Sequence, residues 1–167
     1  MGFLKSFLYT PFTDRVEVYD KVLVKRSDLY LSENKYVLRS TSTPDRVLFL
    51  GGSLEKRKGV TDLYSSNVDT YTKTLTKTTI KSTQSAKGGA SACSIGNLAL
   101  HIGGHLPTNE YTSAVEVYDQ TLTRSETSLS VARYVTISCS IGDYVIVAGG
   151  GIKGVDGNLM VEAFVNY

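Results

Sequence analysis

Tryptophan is absent from this 167-residue chain, and cysteine, histidine, methionine and proline are scarce, at two, two, two and three copies. Two histidines, His101 and His105, leave no third partner in sequence for a metal centre of the usual kind, so no metal and no cofactor is expected. Two cysteines, Cys93 and Cys139, leave the redox compartment undetermined. No apolar run approaches the length of a membrane span, so membrane insertion is not expected. The apolar start, Met1–Tyr9, has no continuous hydrophobic segment and no small-residue cleavage site, which argues against a signal peptide. No segment holds a 3.6-residue apolar period between its turn residues, which removes helices from the expected inventory. A Gly-x-Ser-x-Gly nucleophile turn is missing, and so is a phosphate-binding glycine loop. A net charge of +2 does not call for a nucleic-acid partner.

What is abundant is Thr, Ser, Tyr, Val and Gly, a composition of strands and turns. These residues recur with a period. Gly-Gly pairs close three apolar runs, Val47–Leu50 before Gly51-Gly52, Leu98–Ile102 before Gly103-Gly104, and Val145–Ala148 before Gly149-Gly150; the pairs are 52 and then 46 residues apart. An aromatic motif keeps step with them: Val16-Glu17-Val18-Tyr19, Val68-Asp69-Thr70-Tyr71, Val115-Glu116-Val117-Tyr118 and Val161-Glu162-Ala163-Phe164. Lys35, Lys87 and Arg133 share the same spacing, as do Cys93 and Cys139 inside matching Ser-Ile-Gly sequences.

Each unit holds four strand-like runs, a to d. For the last full unit the pattern predicts Tyr134–Ser140, Tyr144–Ala148, Ala114–Asp119 and Leu122–Ser125. Strand b is apolar at nearly every position and should be buried on both faces. Strand d is rich in Thr, Ser, Lys and Arg and should lie outermost. The c–d link, Gln120-Thr121, has the length of a tight hairpin. Sheets with a buried inner edge and a polar outer edge are what propeller blades require, whereas a sandwich would alternate cleanly on every strand. The expected fold is therefore all-β, with four-stranded antiparallel blades in one domain spanning 1–167. Its repeat segments are approximately 14–34, 35–80, 86–127 and 132–167.

The apolar strand ending in Gly-Gly, the polar loop and the following aromatic resemble the kelch-repeat β-propeller family. Arg133 matches a basic residue common on strand a of that family. The Trp that many kelch repeats carry after the Tyr is missing, and Leu75 and Leu122 occupy that neighbourhood. The segment Tyr118–Arg124, continued by Leu129–Tyr134, looks like kelch-type repeats in phage and prophage proteins of Gram-positive bacteria. The resemblance implies a non-enzymatic structural or interaction protein, a tail, baseplate or capsid-associated component of a virion. A glycan- or host-surface-binding propeller is the alternative, with Tyr30, Tyr36, Tyr64, Tyr111 and Tyr144 as stacking candidates. A kelch-type domain of an enzyme is the third. Partners are then the chain itself or other structural proteins of one assembly, with a host-surface glycan under the alternative; location is the virion, or otherwise the cytoplasm. Two complete blades flanked by partial ones leave open edges, which are expected to be completed by another chain.

The residues singled out divide into scaffold and contact. Gly51, Gly52, Gly103, Gly104, Gly149, Gly150, Tyr19, Tyr71, Tyr118, Phe164, Lys35, Lys87 and Arg133 define the repeat. The three cations are expected to pair with Glu17, Asp69, Glu116 or Glu162 rather than form an arc for an anionic ligand. Lys56, Arg57 and Lys58, in a loop without counterpart in the other repeats, are the candidate interaction residues. Cys93 and Cys139 are expected to be reduced and buried, since equivalent positions on stacked sheets lie too far apart to bridge. Residues 1–83 carry 14 Lys/Arg against 9 Asp/Glu, and residues 84–167 carry 4 against 7, an asymmetry that would favour head-to-tail contact of copies.

Overall fold

A computed structural model describes residues 13–54, 63–82, 84, 86–154 and 161–165. Among them there is no α-helix; fifteen strands form five antiparallel sheets. The first sheet pairs β1 (Arg15–Tyr19) with β2 (Lys25–Tyr30). A small sheet joins β3 (Lys35–Tyr36) to β6 (Ser53–Leu54). The next sheet runs β4 (Arg39–Thr43), β5 (Arg46–Leu50), β7 (Asn67–Thr72), β8 (Lys77–Lys81). It is followed by β9 (Ser91–Ile95), β10 (Leu98–Ile102), β11 (Ala114–Tyr118), β12 (Arg124–Ser128). The last sheet holds β13 (Ile137–Ile141), β14 (Tyr144–Ala148) and β15 (Val161–Val165). Four-stranded sheets stacked in chain order, each a local meander, make the fold propeller-like, as the repeat predicts.

The stacking is visible in the inner strands. β9 lies against both β4 and β13, so the first strand of each sheet borders the next. Burial of strand b on both faces follows. Leu100 and Ile102 of β10 join Ile95, Val115, Leu129, Val145 and Val147 in one core, between the second full sheet and the last. Ala99, with Tyr118, packs against Leu48, Leu50 and Val68 in a second core on the opposite face. An apolar strand with no alternation is thus the strand with a sheet on either side.

All three Gly-Gly pairs follow directly on the b strands, which end at Leu50, Ile102 and Ala148. The pair is required by close approach as well as by the turn. At Gly103 the backbone is left-handed, φ 60°, and a Cβ would stand 2.6 Å from the Arg133 carbonyl oxygen.

Three expectations need correction. The c–d link is longer than two residues: Asp119 and Thr123 still pair, and Leu122 closes the turn in the left-handed region at φ 68°. This is a three-residue loop built on a turn that begins at Asp119, whose carboxylate accepts hydrogen bonds from the Thr121 and Thr123 amides at 2.8 and 2.9 Å. Leu23 and Leu75 sit at the same place at φ 60° and 62°. The outer strand consequently begins two residues later than predicted, at Arg124. The first strand of the last sheet likewise begins at Ile137 rather than Tyr134, because Tyr134 bridges to Gly151 and Val135 turns left-handed. Finally, both cysteines are free, but neither is buried: Cys93 is half-buried against the core between two sheets, and Cys139 is exposed on the outer face of the last sheet, where no sheet of the described residues packs.

Candidate functional site

The cations of the repeat lie inside the sheets, as anticipated. Lys35 and Asp69 are 3.2 Å apart and Lys87 and Glu116 are 3.6 Å apart, all four side chains fully buried. Arg133 is also completely buried and its guanidinium donates to the Gly149 carbonyl at 3.3 Å. Glu162, one of the acids expected to pair with these cations, has a side chain outside the described residues. Each ammonium also reaches backbone carbonyls, Asn67 for Lys35, and His101 and Ala114 for Lys87. The cation therefore ties strands b and c together from the segment that precedes strand a.

Glu116 is the most heavily engaged of these groups. Its carboxylate accepts from Ser82 Oγ at 2.7 Å, Tyr118 Oη at 3.0 Å, Arg124 Nε at 3.3 Å and His101 Nδ1 at 2.9 Å. Burial opposes its ionisation, yet the hydrogen bond and charge of His101, Lys87 and the Ser82 hydroxyl together hold its pKa far below the usual carboxylate range. Burial, reinforced by Lys87, pushes His101 down to about 4 against the pull of Glu116. Burial also lowers Lys87 more than Glu116 raises it. With the Glu116 carboxylate buried and fully occupied, this cluster is a scaffold device. It does not form the basic arc that an anionic ligand would need.

A surface feature with the shape of a site lies elsewhere, where the b–c loops meet the segments that precede strand a. A cleft of about 330 Å³, open to solvent, is lined by Tyr64, His105, Tyr111, Tyr134, Val135 and the Gly88-Gly89 backbone, with Val37 and Ser53 at its side. Its origin is a departure from the repeat. Lys35 is followed by Tyr36-Val37 and Arg133 by Tyr134-Val135, but Lys87 is followed by Gly88-Gly89. In each unit the first of these residues bridges to the residue after Gly-Gly, giving the pairs Tyr36–Ser53, Gly88–His105 and Tyr134–Gly151. A large residue always faces a small one. In the middle unit the exchange puts the ring on the b–c side and leaves glycine opposite.

The middle glycines then admit a neighbour. A side chain at Gly88 would place its Cβ 2.6 Å from Tyr64 Cε1, so the Tyr64 ring rests on bare backbone. Gly89 is left-handed at φ 58°, as are Val37 at 53° and Val135 at 54°, a conformation that β-branched residues resist and that glycine takes without strain.

His105 organises the walls. The Tyr64 hydroxyl is 2.8 Å from His105 Nδ1, and His105 Nε2 is 3.0 Å from Asn109 Oδ1. The amide oxygen only accepts, so Nε2 carries the proton and Tyr64 donates to Nδ1. Tyr64 stands edge-on to the imidazole at 6.0 Å and 88°, while Tyr111 and Tyr134 overlap with centroids 4.4 Å apart. Burial, together with a hydrogen bond to Tyr134, raises the Tyr111 phenol above its ordinary value, which keeps it a neutral hydroxyl.

Of the stacking candidates, the structure brings Tyr64 and Tyr111 to this cleft. Tyr30 and Tyr144 are exposed on other sheets, and Tyr36 sits in β3. Tyr134, His105, Gly88 and Gly89 were not among the expected contact residues. The signal that could have found them is the one place where the Tyr-Val pair after the repeat's cation is replaced by Gly-Gly. Lys56, Arg57 and Lys58 lie outside the described residues. The two histidines are committed to different partners, and among the described residues no group of three or more His, Cys, Asp or Glu could hold a metal ion. Nor is any helix among them long and apolar enough to cross a membrane.

No family model matches the chain, and neither does any curated protein. Among solved structures the chain is similar to that of YjhT, at 14% sequence identity and a TM-score of 0.64, over 90% of this chain and 48% of that one. The chain thus spans about half the length of that structure. At this identity the likeness concerns the fold alone.

Proposed function

We propose that this chain is a non-enzymatic interaction scaffold of the kelch type, on which a second copy packs as a further blade. One observation carries the reading. Ile141 is 67% exposed, whereas its counterpart one repeat earlier, Ile95, is 6% exposed in the core between two sheets. The outer face of β13 and β14 adds Ile137, Cys139 and Tyr144, all exposed. At the other end Tyr19 is 52% exposed, whereas Tyr118, at the same repeat position, is fully buried against the preceding sheet.

The two open faces are therefore repeat equivalents of the two faces that already pack on each other inside the chain. A head-to-tail contact would reproduce an interface the sequence demonstrably makes, and such a heterologous contact can close a ring. The basic surplus of residues 1–83 and the acidic surplus of residues 84–167 favour the same direction. On the resemblance of the Tyr118–Tyr134 segment to phage repeat proteins, we place this scaffold in a virion.

Sedimentation of the purified chain tests the contact. A multimer at micromolar concentration that Ile141→Asp converts to a monomer supports it. A monomer across that range, or a multimer indifferent to both Ile141→Asp and Tyr19→Asp, refutes it; a multimer with a different chain in place of the second copy refutes the choice of occupant.

A further inference from the structure

The Gly88-Gly89 cleft is independent of the assembly face, and its chemistry is specific. Its volume of about 330 Å³ falls at the small end of ligand sites, which run from roughly 300 to 1,000 Å³. Its walls are phenol and imidazole rings with hydroxyls at their edges, an apolar body with a polar tip. Among the described residues that line it, none is an Asp, Glu, Lys or Arg. Lys153, whose charge reaches Tyr111, is held by Glu110 at 2.6 Å. Both His105 nitrogens are committed, so the imidazole serves to fix Tyr64 rather than to bind.

Such a surface suits a ligand that alternates C–H faces with hydroxyl edges and carries no charge. We propose that the cleft over Gly88 and Gly89 binds one pyranose ring of an uncharged saccharide, between Tyr64 on one side and the Tyr111–Tyr134 pair on the other. An anionic sugar would lose its hydration there without gaining a counter-charge. A purely apolar ligand would leave the remaining lone pairs of the tyrosine hydroxyls without a donor. The two flanking units have Tyr-Val at this place, so the exchange to Gly-Gly is made in one of the three units. That is the behaviour of a site added to a scaffold, since the scaffold itself is maintained by the residues that all units share.

The test uses the whole chain and the methyl glycosides of glucose, galactose and mannose, with glucuronate as the charged comparison. The chain has no tryptophan, so intrinsic fluorescence comes from its eleven tyrosines, and the tyrosine ring proton shifts lost in Tyr111→Ala assign the response to the cleft. At least one methyl glycoside is expected to saturate these signals, with glucuronate giving none. Tyr111→Ala is expected to weaken binding roughly tenfold or more, the scale of one lost aromatic contact. Gly89→Val restores the residue of the flanking units, and the atoms nearest its Cβ belong to Tyr134 and Val135, at 3.4 and 3.5 Å. It should fill the cleft and abolish binding while the melting transition remains cooperative. Tyr30→Ala, a tyrosine on another sheet, should change nothing. Absence of saturable binding by all three glycosides overturns the proposal. Glucuronate binding as tightly as they do, or saturation that survives both Tyr111→Ala and Gly89→Val, overturns it equally.

Discussion

The hairpin around Cys93-Ser94-Ile95-Gly96 and its copy around Cys139-Ser140-Ile141-Gly142 pair in the same register and differ in exposure. Ile95 faces Leu98 across β9 and β10, and Ile141 faces Tyr144 across β13 and β14. The first hairpin has a sheet on both sides. The second has its Val145 and Val147 in the shared core and its Ile137, Cys139 and Ile141 in solvent. The same difference separates the acids of the aromatic motif. Glu116 is closed in among His101, Lys87 and Arg124, while Glu17 meets Lys25 and Arg15 on an exposed surface. Identical local chemistry thus does different physical work according to what is stacked on it.

The largest contrast should come from these acids. Removing one member of the buried pair, by Lys87→Met or Glu116→Ala, strands a charge without solvent and should cost roughly 3–5 kcal/mol in urea unfolding. Glu17→Gln should leave the urea midpoint unmoved, because its partners are solvated and screened. Equal losses at both positions would break the comparison. Next in size, Ile95→Ala should cost roughly 2–5 kcal/mol by opening a cavity between sheets. Ile141→Ala should fall within about 0.5 kcal/mol when measured on dilute, dissociated chain.

The pH dependence sharpens the same contrast. His101 is held near 4 when folded, against an ordinary 6.5, so between those values the unfolded chain binds the extra proton. Stability therefore rises with pH across that window and falls on acidification through it. Glu116, lowered from its ordinary 4.5, acts in the same sense at and below that pH. Thermal melts from pH 4 to 7 should show this rise, and His101→Gln should flatten the part above pH 5. The smallest effect is kinetic. Burial raises the Cys93 thiol, whereas Cys139 is exposed, so a thiol reagent should label Cys139 at least about tenfold faster in the folded chain. If copies pack on the last sheet, that rate should fall as concentration rises.

Much of the fold was legible because its determinants are local and repeated. A strand closed by Gly-Gly needs no distant information, since the left-handed turn is a property of the residue itself. The buried cations could be read from recurrence alone, and Lys35–Asp69 and Lys87–Glu116 meet as expected. The c–d turn was misjudged because a left-handed leucine is allowed only by the turn around it, as Leu23, Leu75 and Leu122 all show. The cleft was missed because Gly88 and Gly89 resemble ordinary loop glycines until Tyr64, from another unit, lies on them.

By itself, the sequence determined the strands, their order within each sheet and the polar outer edge, because neighbouring residues and a fixed period suffice for these. Only the tertiary structure decided which copy of each motif is covered, that Cys93 is half-buried and Cys139 exposed, and that rings from separate loops line one cleft. Those outcomes depend on the sheet next door, and desolvation is a property of the packed pair of surfaces rather than of either sequence.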